Sequence, residues 1–476
     1  MNFLKKYKKN ITFILLLSFI QLNFMPLSCF SREKTDKSII KTGITKEKKT
    51  FFHKKNNVEN ENSTFSLNID FWNNYDDEYL SGYVEKALSN NRDLKIATLK
   101  VEQSYQMMKV QLANELPSLN VGVSPGGIKL PNTTNFDGFF SIPIIANYEI
   151  DLFLKNHDKT KSAKKSYEMS LYDKQAAYLA ILSQVGTCYF NIVKLDKLIS
   201  LQNEIINKRK NIYDLMKMKH NEGLSSTSDL VNAEKAYINS TVDLIDLKKS
   251  RELALNSFAV LIGESPENIN EFKRISYDKL KNEYKIPEFI VSDAIENRPD
   301  YLKAQKNVEK SGIDVKVAKK EFLPSFNIIG LLGFQTGSMY SSMNWKTALA
   351  GLVGSGMVSL FSGGRKIANL KLNKNVYEQT VQNYYKTNLV AIQEVNDALC
   401  SLKLDNQKFE KNTLTYNMEQ KDFGFTKNKF NEGVISKLDV LQKEEVLLSV
   451  KKLVVSSKID VISSEISLYK ALGGKL

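Results

Sequence analysis

Two stretches of this 476-residue chain set a serine and an aspartate three residues apart behind a glycine: KHNEGLSSTSDL from Lys219 and KFNEGVISKLDV from Lys429. An enzyme would need such groups clustered with a base or a metal. The chain has only three histidines, and no nucleophile elbow, metal-spaced motif or complete phosphate loop accompanies either pair. SGGRK at 362–366 lacks the rest of a phosphate loop, and its Gly363 and Gly364 before Arg365 suit the relaxation of a strand-to-helix junction. The chemistry left to the S-x-x-D pairs is helix capping. Ser226 with Asp229 and Ser436 with Asp439 are capping boxes that start helices, and Gly223 and Gly433 suit the left-handed residue that ends the preceding helix. Neither catalysis nor a cofactor is expected.

The two phrases belong to a longer repetition. The tip glycines, 223 and 433, are 210 apart; Asp93 and Asp300, and Pro117 and Pro324, are 207 apart. This is a tandem duplication, with repeats at 65–270 and 291–476 joined by a connector at 271–290. Each unit opens with a helical pattern, in the first unit over 79–116, which an LPS tripeptide ends because proline disfavours helix for the residue before it. Strands follow. Leu119, Val121 and Val123 alternate with polar or small residues; Phe140, Ile142, Ile144, Ala146 and Tyr148 fall on one side of the next stretch, and Phe326, Ile328 and Phe334 on one face of the stretch in the second unit. Two strands per unit give four per chain. Long proline-free helical patterns then run over 158–220 and 365–430, each ~90 Å if continuous. The returning patterns at 226–261 and 436–472 make antiparallel hairpins with tips near 223 and 433.

Four amphipathic strands cannot close a barrel, and an open sheet edge is not tolerated in lipid. Chains must therefore share one barrel, and cyclic symmetry would arrange the hairpins into a tube beneath it. The formal charge of +14 is spread along the chain, so nucleic acid is not an expected partner. At the N-terminus, lysines 5, 6, 8 and 9 precede ITFILLLSFI, the pattern of a signal peptide over 1–28. Cys29 ends the lipobox-like MPLSC and is the expected lipid anchor. The polar, lysine-rich 29–64 reads as a tether. Trp72 is expected to be a packing anchor, and Cys188 and Cys400 to be buried thiols.

Seven motifs in order, ALSNNRDLKIATLKV, LPSL, NEGLSSTSDL, NRPDYLKA, LPSF, SLFSGGRKIANL and NEGVISKLDV, closing with LYKALGG, resemble the TolC-like outer membrane efflux proteins. The likeness is to their lipoprotein branch, which works with resistance-nodulation-division pumps. The resemblance implies an α+β membrane protein: a homotrimer whose four strands per protomer build a 12-strand outer-membrane β-barrel, continuous with a long periplasmic α-helical barrel. It implies a passive duct exporting drugs or other toxic solutes, with a periplasmic adaptor, an inner-membrane transporter and outer membrane lipid as partners. A type I protein secretion channel is the alternative; a periplasmic coiled-coil adaptor is the rival of another class. It places Asp439 at the periplasmic aperture, where one carboxylate per protomer forms a cation-attracting ring. Gln442 follows one turn on, Leu438 or Leu441 is expected to form a second constriction, and Asp229 is the equivalent of Asp439 in the first unit. Gly223, Leu224, Ser225, Gly433, Val434 and Ile435 are the expected adaptor-contacting tips, since apolar residues stand there where water is expected.

Overall fold

The computed structural model describes residues 69–128, 137–267, 272–280, 295–336 and 345–474. The signal peptide, Cys29, the tether and much of the connector lie outside the described residues. The helical pattern expected over 79–116 is broken once. Helix α1 (Glu78–Asn90) starts at Asp77, whose carboxylate accepts from the amides of Tyr79 and Leu80 at 2.9 and 3.3 Å. It stops at Asn91, which sits at φ −56° and ψ 130° and caps the next helix, α2 (Arg92–Ala113), by accepting from the amides of Asp93 and Leu94. The same side chain donates to the carbonyl of Leu261 at 2.7 Å, so one asparagine ends a helix, starts another and ties both to a third element.

The strands come next. β1 (Ser118–Val121) and β2 (Ser124–Ile128) both pair with β3 (Asp137–Ile150) in one continuous register. The ladder is interrupted at Gly122 and Val123 because Pro143, opposite, has no amide to donate; its carbonyl still accepts from Gly122 at 2.9 Å. β1 and β2 are thus one strand of a four-strand antiparallel set completed by β4 (Ser325–Thr336) and β5 (Ala348–Met357), in the order β1/β2, β3, β4, β5. The register places Val121, Ile144, Leu332 and Ala350 side by side on one face, and Glu149, Asn327 and Ser355 on the other. One face is therefore apolar, while the other mixes polar rows with apolar ones such as Ile145 beside Leu331 and Ile329 beside Val353, and Leu119, Val121 and Leu352 of the apolar face are exposed.

Helix α3 (Lys155–Asn221) leaves β3 and returns as α4 (Thr227–Ile262). After α5 (Pro299–Lys320) and the second strand pair, α6 (Arg365–Asn431) leaves and α7 (Lys437–Ala471) returns. An apolar seam of Leu198, Leu201 and Ile205 with Leu448 and Val455 holds the two hairpins together, and Val395, Ala398 and Leu402 pack with Val461 and Leu468 to close the second hairpin on itself. Cross-hairpin pairs add to them, Gln202 with Lys452, Arg209 with Glu445 and Lys208 with Glu444. Cys188 is half-buried and burial pushes its thiol up to about 11, whereas Cys400 is exposed on α6. The expectation of two buried thiols thus fails at Cys400, whose stretch of helix presents that side to no other part of its own chain.

A belt crosses the upper end of the hairpins on one side. It consists of the short 3₁₀ helix Ile69–Tyr75, α1 and the strap 272–280. Phe71 stacks on Tyr469 at 4.3 Å, Trp72 is 1% exposed, and Tyr75 packs on Phe190 and donates to the buried carboxyl of Glu465 at 3.0 Å. Tyr189 donates to Asp77 at 2.5 Å and accepts from the amide of Ile275 at 3.0 Å, joining the belt's first and last pieces through α3. Trp72 is a packing anchor, and its neighbour on α3 is Gly186, where a side chain would have no room.

Candidate functional site: the paired hairpin tips

Each tip is closed by the same backbone device. Gly223 has φ +72° and Gly433 +75°, the left-handed conformation that a side chain penalises. Leu224 N–H donates to Lys219 C=O and Gly223 N–H to His220 C=O; Val434 and Gly433 repeat the pattern with Lys429 and Phe430. These two bonds satisfy the last carbonyls of α3 and α6 while the chain reverses. Both capping boxes are formed. The Asp229 amide donates to Ser226 Oγ at 3.1 Å and the Asp439 amide to Ser436 Oγ at 3.3 Å, while each carboxylate accepts from its serine's amide and hydroxyl. The apolar residues named for the tips are left outside: Leu224 is 76% exposed and Val434 68%, with Ser225 and Ile435 half-buried.

The carboxylate of Asp439 is exposed, and the hydrogen bonds from Ser436, hydroxyl then amide, hold its pKa below the usual carboxylate range, with a smaller pull from Lys219. That last influence crosses from one hairpin to the other, so the two tips of a protomer stand side by side. Gln442 is exposed, Leu438 half-buried, and Leu441 buried within its own protomer at 7% exposure. Lys443, beside Gln442, braces the second hairpin through Glu419 and Asp422 at 2.8 and 2.5 Å. At the opposite end of α6, Gly363 and Gly364 take φ +59° and +80° before Arg365 begins the helix. The first unit makes the same junction with Leu154 at φ 56°, held by Asp151, which accepts from the amides of Lys155 and His157.

A sheet apolar on one face, with two open edges and a pair of helical hairpins hanging from it, is a protomer of a shared membrane channel rather than an enzyme. The sequence model of the outer membrane efflux protein family matches residues 83–264 and 290–474, and the chain belongs to that family. The probable efflux pump outer membrane protein TtgC of Pseudomonas putida is 23% identical over 411 residues, covering 84% of each chain. The cation efflux system protein CusC of Escherichia coli is 23% identical over 401 residues, 84% of this chain and 87% of that one. Among solved structures, the CmeC outer membrane channel of Campylobacter jejuni aligns with a TM-score of 0.78 at 24% identity, covering 88% of this chain and 90% of CmeC. The open MtrE outer membrane channel of Neisseria gonorrhoeae aligns with a TM-score of 0.75 at 22% identity, covering 83% and 89%.

Sequence reasoning missed the cross-hairpin pairs and the buried Glu465. Gln202, Arg209 and Glu465 sit among apolar positions of long helices, which is the one local signal that could have singled them out.

Proposed function

We propose that this chain is the outer membrane duct of a tripartite pump, a homotrimer with a 12-strand barrel that passes small toxic solutes from an adaptor and an inner-membrane transporter of the resistance-nodulation-division type. The observation that carries this reading is the four-strand sheet with open edges at β1/β2 and β5 and one apolar face. Unpaired edges in lipid cost several kcal/mol per group, and neighbouring copies remove that cost by pairing edge to edge. In the proposed arrangement the signal 1–28 exports the chain, and Cys29 at the head of the tether 29–64 carries a lipid. Loss of acyl labelling in Cys29→Ala, with the trimer retained, checks that anchor.

The tips Gly223–Leu224–Ser225 and Gly433–Val434–Ile435 are the proposed adaptor contacts, because Leu224 and Val434 are apolar, exposed and held at an apex by hydrogen-bonded turns. Leu224→Asp with Val434→Asp is expected to abolish crosslinking to the adaptor while trimer yield stays at the wild-type level. A parallel fall in both, or unchanged crosslinking, rules the docking role out.

Asp439 is the proposed aperture carboxylate, with Asp229 its counterpart and Gln442 the neutral position one turn on. Asp439→Asn keeps a side-chain oxygen for the cap but removes the charge. In planar bilayers it should weaken block by divalent cations with little change in melting temperature. Unchanged block alongside destabilisation by Asp439→Ala would leave Asp439 as a helix cap only.

A further inference from the structure

On the face of the hairpins opposite the belt, α3, α4 and α7 enclose a groove of about 760 Å³. On α3, Gly186 and Tyr189 face the belt, and Thr187, Asn191 and Lys194 line the groove; on α7, Glu465 and Tyr469 face the belt, and Ser463, Ser467 and Lys470 line the groove. At 100° per residue these sets lie on opposite sides of each helix. A belt placed inside a tube would fill it, so in a conducting trimer the belt lies outside and the groove opens on the bore.

Lys194 and Lys470 have no ion-pair partner among the described residues. The nearby carboxylate of Asp460 is taken by Lys408 at 2.9 Å. The antiparallel register fixed by Gln202 with Lys452 and Arg209 with Glu445 sets Lys470 beside Gln184 and Lys194 beside Asp460. The two lysines therefore line the groove at levels ten residues apart, about 15 Å along α3 at 1.5 Å per residue. Between them the walls combine hydroxyls, from Ser463 and Ser467, with aliphatic side chains, from Val260, Leu261, Ile459 and Ile466.

We propose that this groove is a transit site for amphiphilic organic anions, which lay an apolar body along the aliphatic wall and set a carboxylate or sulfonate on Lys194 or Lys470. Three copies give the bore a collar of six ammonium groups, which raises the local concentration of anions and lowers that of cations. The inference rests on the duct reading above and deepens it by naming a substrate class.

The probe is 8-anilinonaphthalene-1-sulfonate. In planar bilayers, K194Q/K470Q should shift the reversal potential in a salt gradient toward cation selectivity and weaken block by the probe roughly tenfold, while K194R/K470R keeps wild-type values. Unchanged potential and block in K194Q/K470Q overturn the proposal. A wild-type trimer that carries no current would count against the duct reading instead. In that case fluorescence titration of the detergent-solubilised trimer still tests the groove, with tighter probe binding in wild type than in K194Q/K470Q expected and equal binding overturning it.

Discussion

Gly186→Ala is expected to destabilise the folded protein by about 3 kcal/mol or more, the range seen when a large aromatic loses its site. A methyl group on Gly186 would collide with Cζ3 of Trp72, stand 2.6 Å from its Cη2 and press on Ile466 at 3.2 Å. A fully buried indole wedged between α3 and α7 cannot move aside by rotating one bond; it must leave, taking Phe71 from its stack on Tyr469. Melting temperature and trimer yield report the effect. Trp72→Leu should cost stability alone yet recover part of the loss when combined with Gly186→Ala. A double variant no better than the sum of the two would mean that the collision is not the cause.

Glu465→Gln is expected to change how stability depends on pH. Glu465 is 5% exposed, and burial pushes its carboxyl up to about 7, partly offset by the hydrogen bond from Tyr75. An acid raised in the folded state binds its proton more tightly there than in the unfolded chain. Its contribution is therefore fully present below the unfolded value near 4.5, is lost as pH rises through about 7, and falls by roughly 3 kcal/mol across that window at 1.36 kcal/mol per pH unit. Glutamine keeps an oxygen to accept from Tyr75 and has no proton to lose. The variant should match the wild type at pH 4 and melt at a higher temperature at pH 8; parallel curves across this range would refute the assignment.

Much of this architecture is legible in residue order because its signals are local. Alternation in SLNV and SIPIIANYEI marks strands, and a glycine followed by S-x-x-D marks each hairpin tip within two residues of where the helices end. The outer membrane and efflux reading came from motif order, and the family match agrees with it. What local pattern hides is what depends on a distant partner. The break at Asn91 is set by its bond to Leu261, 170 residues away, and the pause between β1 and β2 by Pro143 across the ladder. Leu441 illustrates the same limit at the tips: its type suits a constriction equally well as a core, and only the packing of the hairpins decides that it is buried.

The clasp between the belt and α7 also fixes an order of events. Tyr75 and Glu465 are 390 residues apart, and Phe71, Trp72 and Tyr75 have their stacking partners on α3 and α7. A chain that emerges N-terminus first exposes this aromatic trio early and can bury it only when nearly all of α7 has followed. Closing so long a loop is slow, and hydrophobic residues left waiting are prone to misassociation. The protomer should therefore depend on a holding chaperone until its last helix is out, and chains cut short before 465 should be degraded as monomers even though every strand and both outgoing helices are present.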